Sequence, residues 1–321
     1  MDEPVVWYMT TGQAGFRTQA RGLASRLSAQ PRELVVDLTW PWRRLPASFN
    51  VLGLGGVSKA HERPEPPWPD VLISCSRRAA AVAVAVRKAA RGKTLAVHVQ
   101  DPLTRASAFD LIVAMAHDRI TGPNVIKTPT ALHDVTPERL ADAGAFWRGR
   151  LGEGVRPLVG VILGGPNKHQ PMSDGDVAPL LDGLDAIRRQ TGARLAVTPS
   201  RRTPDEVKAA FAARFDGDDG VFLWDMQGDN PYLGILALAD RLVVTSDSVS
   251  MISEALATSA PVEVFGAGGG ERHDRFLGTL LDQGLVRRFA GDVVAGGERA
   301  PFDATETAAE AVRRLLEMRG F

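Results

Sequence analysis

The residues best equipped for chemistry in this chain are glycines, small hydroxyls and arginines gathered at short turns. Thr10-Thr11-Gly12-Gln13-Ala14-Gly15-Phe16-Arg17-Thr18-Gln19 leads from an apolar run into a stretch of helical period. A turn of this kind presents backbone N–H groups at the positive end of a helix, where an anion or an oxygen-rich acceptor binds; a tight turn without a ligand is the plainer alternative. A second loop, Gly164-Gly165-Pro166-Asn167-Lys168-His169, permits close backbone approach, and Lys168 adds a charge suited to a diphosphate. It lacks the spacing of a P-loop, so it does not point to ATP hydrolysis. In Thr198-Pro199-Ser200-Arg201-Arg202-Thr203-Pro204 the paired guanidinium forks match phosphate oxygens, although exposed arginines are common without any ligand. The richest stretch is Arg241-Leu242-Val243-Val244-Thr245-Ser246-Asp247-Ser248-Val249-Ser250-Met251-Ile252-Ser253-Glu254. There a strand ends in small polar residues that cap a helix, and Glu254 follows about two turns in. The turn Gly266-Ala267-Gly268-Gly269-Gly270 comes after the next strand.

Candidates for proton transfer lie at other strand ends. His98 and Asp101 flank Val99-Gln100, and His117 and Asp118 follow the run Leu111–Met115. Open α/β sheets bind ligands at the carboxyl ends of their strands, so both pairs have access to such a site, and Asp101, His117 and Asp118 are the expected catalytic groups. A structural histidine is the common alternative. Cys75, the sole cysteine, excludes an intrachain disulfide and reads as a small buried residue. Two Asp-x-Asp triplets occur, Asp174-Gly175-Asp176 and Asp216-Gly217-Asp218. The first follows Ser173 in a helix first turn and the second lies in a turn, so both read as structural and no metal site is expected.

These turns need a scaffold, and the pattern around them supplies one. Short apolar runs alternate with stretches of helical period, the signature of βαβ units and parallel sheets. The strands Val5–Met9, Leu34–Asp37, Val71–Cys75, Thr94–Val99, Leu111–Met115 and Val125–Thr128 form one series. After the linker-like Leu151-Gly-Glu-Gly-Val-Arg-Pro157 the pattern restarts with Leu158–Leu163, Arg194–Val197, Val221–Trp224, Arg241–Thr245 and Val262–Phe265. Asp303–Met318 reads as an amphipathic helix. The irregular stretch from Trp40 to Trp68 mixes Trp40, Trp42, Phe49 and Leu52 with Arg43, Arg44 and Lys59. Such a loop either folds inward or docks on a membrane surface to meet a lipid-linked acceptor.

Composition narrows the setting. Lys plus Arg equals Asp plus Glu at 38 each, so no net field draws the chain to nucleic acid. No leader-like start and no run of about eighteen apolar residues is seen, and a reducing cytoplasm, with peripheral contact at an inner membrane, is the expected location.

The stretch Arg241–Glu254, with Gly164-Gly165 before it and Gly266–Gly270 after it, resembles the nucleotide-binding half of B-type glycosyltransferases. Over nearly its full length the chain is similar to the bacterial family related to the plant elongated-mitochondria fission factor, which is sometimes labelled a nucleoside-diphosphate-sugar epimerase. The carrying residues are Gly12-x-x-Gly15-x-x-x-Gln19, Gly164-Gly165-Pro166, Ser200-Arg201-Arg202-Thr203, Asn230-Pro231-Tyr232 and Asp247-Ser248-Val249-Ser250-Met251-x-Ser253-Glu254. Short-chain epimerases need Tyr with Lys four positions on, but Tyr8 and Tyr232 have Gly12 and Leu236 there. Neither the first loop nor Gly53–Ser58 fits the dinucleotide fingerprint, so an oxidoreductase-type epimerase is excluded.

The resemblance implies an α/β protein of two Rossmann-like domains facing across a cleft: an acceptor domain over 1–150, a nucleotide-sugar-binding domain over 151–302, and a C-terminal helix over 303–321 returning to the first. It implies metal-independent transfer of a sugar from a nucleoside diphosphate to an unknown acceptor, which a membrane-docking Trp40–Trp68 loop would allow to be lipid-linked, without a cofactor. Gly12, Gly15, Gln19, Gly164, Gly165, Lys168, Ser200, Arg201, Arg202, Ser246, Ser248, Ser250, Glu254 and Gly268 would line the sites, with Glu254 on the donor ribose. Two alternatives stand beside it, a non-catalytic interaction protein of the fission-factor kind and a sugar-nucleotide epimerase of the same two-domain fold.

Overall fold

Strands covered on both faces read as nearly continuous apolar runs, and the four central strands of the first series do so. In β1 (Val6–Thr10), β3 (Val71–Cys75), β4 (Leu95–Val99) and β5 (Leu111–Met115) every residue is buried, whereas β2 (Arg32–Val35) and β6 (Val125–Thr128) are more open. All pair in parallel, in the order β2-β1-β3-β4-β5-β6. The structure is a computed structural model and describes residues 3–44, 53–152, 157–167, 171–266, 270–292 and 299–320. Helices α1 (Ala14–Ser25) and α2 (Arg77–Ala89) follow β1 and β3. The alanines and valines of α2 pack with Trp7, Met9, Leu72, Ala96 and Ile112 as the core of this unit.

The second unit begins at Val135 with α3 (Pro137–Leu151), so the boundary lies earlier than the expected 150/151. The reason is in the packing of α3. Trp147 lies against Gly234, where a Cβ would come within 2.4 Å of its ring, and makes an edge contact with Phe222 at 6.0 Å. A helix that reads as the tail of one domain is therefore part of the next.

The sheet of this unit comprises β7 (Leu158–Leu163), β8 (Arg194–Pro199), β9 (Val221–Leu223), β10 (Arg241–Thr245), β11 (Val262–Phe265) and the short β12 (Arg287–Arg288). It is parallel, in the order β12-β11-β10-β7-β8-β9. Helices α4 (Asp174–Thr191), α5 (Asp205–Phe215), α6 (Tyr232–Leu238), α7 (Val249–Leu256) and α8 (Glu271–Asp282) connect the strands. Numbered within the unit, this is the dinucleotide-fold order 3-2-1-4-5-6, which reverses between β7 and β10. The first sheet reverses between β1 and β3. Two Rossmann-like units are thus present.

Both Asp-x-Asp triplets are absorbed by the fold. Asp176 completes a capping box with Ser173, and Asp218 pairs with Arg188 while accepting the Gly220 N–H at 2.8 Å. The final helix, α9 (Ala304–Glu317), belongs to the first unit. Asp303 caps it and pairs with Arg26 at 2.7 Å, and Thr305 exchanges hydrogen bonds with the backbone of His133 at 2.9 and 3.0 Å.

Among the described residues no helix is long and apolar enough to cross a membrane. In the Trp40–Trp68 stretch, Trp42, Leu54 and Trp68 pack onto the core, while Trp40 stays 78% exposed. Arg77 donates to the carbonyls of Arg43 and Arg44, which fixes that end of the loop. Phe49 and Leu52 lie outside the described residues.

Candidate functional site

The crevice at the β7/β10 reversal is built by three loops that are far apart in sequence. After β7, the Gly164 N–H donates to Thr245 Oγ1 at 2.7 Å and the Gly165 N–H to Asp247 Oδ2 at 3.0 Å. After β8, Ser200 Oγ donates to the Gly164 carbonyl at 2.9 Å, and Thr203 Oγ1 also lies against it. After β10, Thr245 Oγ1 donates to Asp247 Oδ1 at 2.7 Å, and Arg202 reaches Asp247 Oδ2 at 2.8 Å.

This closure explains both glycines. A Cβ on Gly164 would lie 2.2 Å from the Asp247 carboxylate, and one on Gly165 would lie 2.3 Å from the Arg202 carbonyl. Close approach is required here, but the group that approaches is the protein's own.

The helix after β10 begins as its sequence demands. Ser248 is the N-cap of α7 and accepts the Met251 N–H at 3.4 Å, and Ser250 stands half-buried in the first turn. Ser246 is fully buried, with its N–H on the Phe265 carbonyl at 2.8 Å and its own carbonyl met by His273 of α8. A carbonyl only accepts, so Nε2 of His273 carries the proton. Glu254 is half-buried and accepts a hydrogen bond from the phenol of Tyr232. Arg201 is exposed and has no hydrogen bond or ion pair among the described residues. Lys168 and Gly268 lie outside the described residues.

The β1/β3 reversal forms a second crevice within the first unit. Thr10 Oγ1 accepts the Gly12 N–H at 3.1 Å, and Thr11 Oγ1 lies 3.2 Å from Ser76 Oγ. Gly12 has φ +87°, which favours glycine, whereas Gly15 has open space around its Cβ position and is not dictated by packing. Gln19 is buried, donates to the Gly15 carbonyl at 3.2 Å and receives the Gln100 amide at 3.3 Å, so it braces the loop from beneath. Ser76 (φ 98°) and Gln100 (φ 79°), at the ends of β3 and β4, hold backbone conformations that non-glycine residues rarely adopt.

The expected proton-transfer groups follow two neighbouring strands, Asp101 after β4 and His117 and Asp118 after β5. Asp101 is half-buried and caps a turn by accepting the Leu103 N–H at 2.9 Å. The side chains of His117 and Asp118 are almost fully covered, 3.9 Å apart, and Asp118 accepts the Met115 N–H at 3.1 Å. His98 has no solvent contact; its Nδ1 is 2.8 Å from Ser74 Oγ, and its ring lies 5.0 Å from Phe109. Burial pushes its pKa down to about 3, so it is a neutral core residue and not a base. Burial likewise pushes the Cys75 thiol up, which leaves it unreactive.

Sequence reasoning passed over Asp247 and Tyr232 as site residues, although both stand in stretches singled out above. It also missed Thr245, His273, Ser76 and Gln100. The signal for Asp247 was present, a lone carboxylate among hydroxyls at a strand end, but its partners come from two other loops.

A family model described as mitochondrial fission ELM1 matches residues 14–316. The mitochondrial fission protein ELM1 of Arabidopsis thaliana is 30% identical over 293 residues, covering 83% of this chain and 68% of that protein. An uncharacterized protein of Rickettsia prowazekii is 24% identical over 289 residues, 78% of this chain and 80% of its own length. Among solved structures, the UDP-GlcNAc 2-epimerase of Methanocaldococcus jannaschii is similar with a TM-score of 0.53 at 12% identity, over 78% of this chain and 77% of that one. At that identity the likeness shows a shared fold, the two-sheet α/β architecture of the B-type glycosyltransferase kind.

Proposed function

The chain belongs to the mitochondrial fission ELM1 family, and from that premise we propose that its second unit binds a nucleoside diphosphate sugar and that the protein passes the sugar, without a metal, to an acceptor. The observation that carries this reading is the convergence of Gly164-Gly165, Ser200, Arg202 and Asp247 at a topological switch point, where Rossmann-type sheets place nucleotides; the N-cap of α7 is next in sequence at Ser248. Arg201, which has no ion pair among the described residues, and the N-terminus of α7 offer positive charge for phosphoryl oxygens. One solved structure that shares the fold is a UDP-GlcNAc 2-epimerase, which makes uridine diphosphate the first nucleotide to test. The acceptor falls to Gly12, Gly15 and the hydroxyls around them in the first unit. A base must reach its substrate; the side chains of His117 and Asp118 are covered, so half-buried Asp101 is the first of the three to test.

Glu254 is assigned to the ribose hydroxyls. Hydrogen bonds to a charged group are worth about 1.5–3 kcal/mol, so Glu254→Ala should weaken donor binding by roughly tenfold to a hundredfold in calorimetry, and Glu254→Gln by less. Because Glu254 also holds Tyr232, the control is Tyr232→Phe, which removes the phenol and keeps the carboxylate. Binding of UDP-GlcNAc that is equally tight in the Glu254 variants and the parent would refute the ribose role. No binding of any uridine, guanosine or cytidine diphosphate sugar by the parent would remove the donor reading itself.

The exposed Trp40, next to exposed Arg43 and Arg44, supports peripheral contact with an anionic lipid surface. Each basic side chain near such a surface contributes about 1 kcal/mol, and an indole settles at the headgroup level. Trp40→Ala combined with Arg43→Ala should lower co-sedimentation with phosphatidylserine vesicles by about tenfold or more. Unchanged sedimentation returns Trp40 to a solvent-exposed loop residue with no lipid role.

A further inference from the structure

The crevice of the second unit already contains an anion. The Asp247 side chain is only 1% exposed, yet its carboxylate faces the group of donors that would receive a phosphoryl oxygen. Oδ2 accepts the Gly165 N–H at 3.0 Å and the Arg202 guanidinium at 2.8 Å, and Oδ1 accepts the Thr245 hydroxyl at 2.7 Å. A glycine-loop N–H, a hydroxyl and a guanidinium make up a phosphate cradle. Gly164 lacks a side chain where this carboxylate, and not a ligand, needs the room.

We propose that Asp247 is the resident anion of this crevice and its specificity-determining residue, which an incoming diphosphate has to displace from Arg202 and the Gly165 N–H. The Arg202 charge is met by Asp247, and Arg201 on the same loop has no hydrogen bond or ion pair among the described residues. A buried carboxylate this close also repels each added phosphate charge. The crevice therefore disfavours free nucleoside diphosphates relative to diphosphate diesters such as nucleotide sugars, which carry one charge fewer. This competition rests on the donor-binding reading; the resident anion itself does not.

Two measurements test the two parts on the full chain. Asp247→Ala leaves its three donors without their acceptor, and added sodium formate supplies a carboxylate of the right size. Formate should raise the melting temperature of Asp247→Ala beyond what equal sodium chloride does and leave the parent unmoved. Identical responses to the two salts overturn the resident anion. Asp247→Asn keeps an acceptor for the Gly165 N–H and releases Arg202, so it stays informative if the alanine variant does not fold. It should bind UDP about tenfold more tightly than the parent, with a smaller gain for UDP-GlcNAc. A gain for UDP that is absent, or no larger than that for UDP-GlcNAc, overturns the selectivity. Formate rescue with no UDP binding by any of the proteins retains the resident anion and removes the donor reading.

Discussion

Glu263→Ala should destabilise the second unit by about 3–5 kcal/mol, the usual consequence of breaking a buried ion pair by removing one partner. Glu263 of β11 has no solvent exposure and stands between two arginines, Arg241 of β10 and Arg287 of β12. Arg241 donates through Nε to Glu263 Oε2 at 2.5 Å, and its other nitrogens meet the Asp292 carbonyl at 3.1 Å. Burial pushes the Glu263 carboxyl above the usual carboxylate range, against the pull of both guanidiniums, so desolvation is the larger influence and the arginines hold the charge in place. Removing the carboxylate leaves the mostly buried Arg241 without its counter-ion. Urea unfolding should show a lowered midpoint at unchanged slope, with faster amide exchange in β10 and β11. Replacing Glu263 and Arg241 together with Leu and Met should cost far less, because neither charge is then stranded. A loss below about 1 kcal/mol in Glu263→Ala would show that the arginines find water instead.

Acid should weaken the first unit through His98. Its unfolded-state pKa is near the ordinary 6.5, and burial lowers the folded value to about 3. The unfolded chain takes up a proton that the folded chain refuses, so this stability is complete above pH 6.5 and is lost as the pH falls from there towards 3. At 1.36 kcal/mol per unit the loss reaches about 2 kcal/mol by pH 5. Ser74 Oγ lies 3.2 Å from the Val97 carbonyl, to which it donates, and so accepts from Nδ1 of His98. That assigns the proton to Nδ1 and leaves Nε2 a buried lone pair with no partner. His98→Met removes the titration, and the difference between parent and variant in stability lost from pH 7 to pH 5 isolates it. Equal losses in the two would assign the acid sensitivity elsewhere.

Much of the fold could be read along the chain. Parallel strands buried on both faces appear as continuous apolar runs, and β3, Val71–Cys75, and β10, Arg241–Thr245, lie where those runs predict them. The helix starts were legible for a similar reason, since Ser173 and Ser248 satisfy N–H groups only a few residues away. Glycines at strand ends marked the turns that form the two crevices. Which group those glycines admit was not legible. Gly164 reads the same whether a ligand or Asp247 approaches it, because the distinction depends on a residue about eighty positions later, and for Gly165 the approaching group is Arg202 of yet another loop.

The sequence by itself determined the α/β class, the restart of the pattern in a second series and the positions of the turns, because each of these is encoded by neighbours within a few residues. Only the tertiary structure decided the rest, because those features depend on strand order and register. Trp147 at Gly234 assigns α3 to the second unit, although its sequence reads as the end of the first. Val262-Glu263-Val264 alternates as though Glu263 faced water, yet its strand lies between β10 and β12 and buries it against two arginines. His98, open in the sequence to either a proton-transfer or a structural reading, is held neutral because Ser74 on the adjacent strand and Phe109 exclude water from it. Asp247, one small polar residue among several, becomes the anion of its crevice because the strand order β10-β7-β8 brings three loops to one carboxylate.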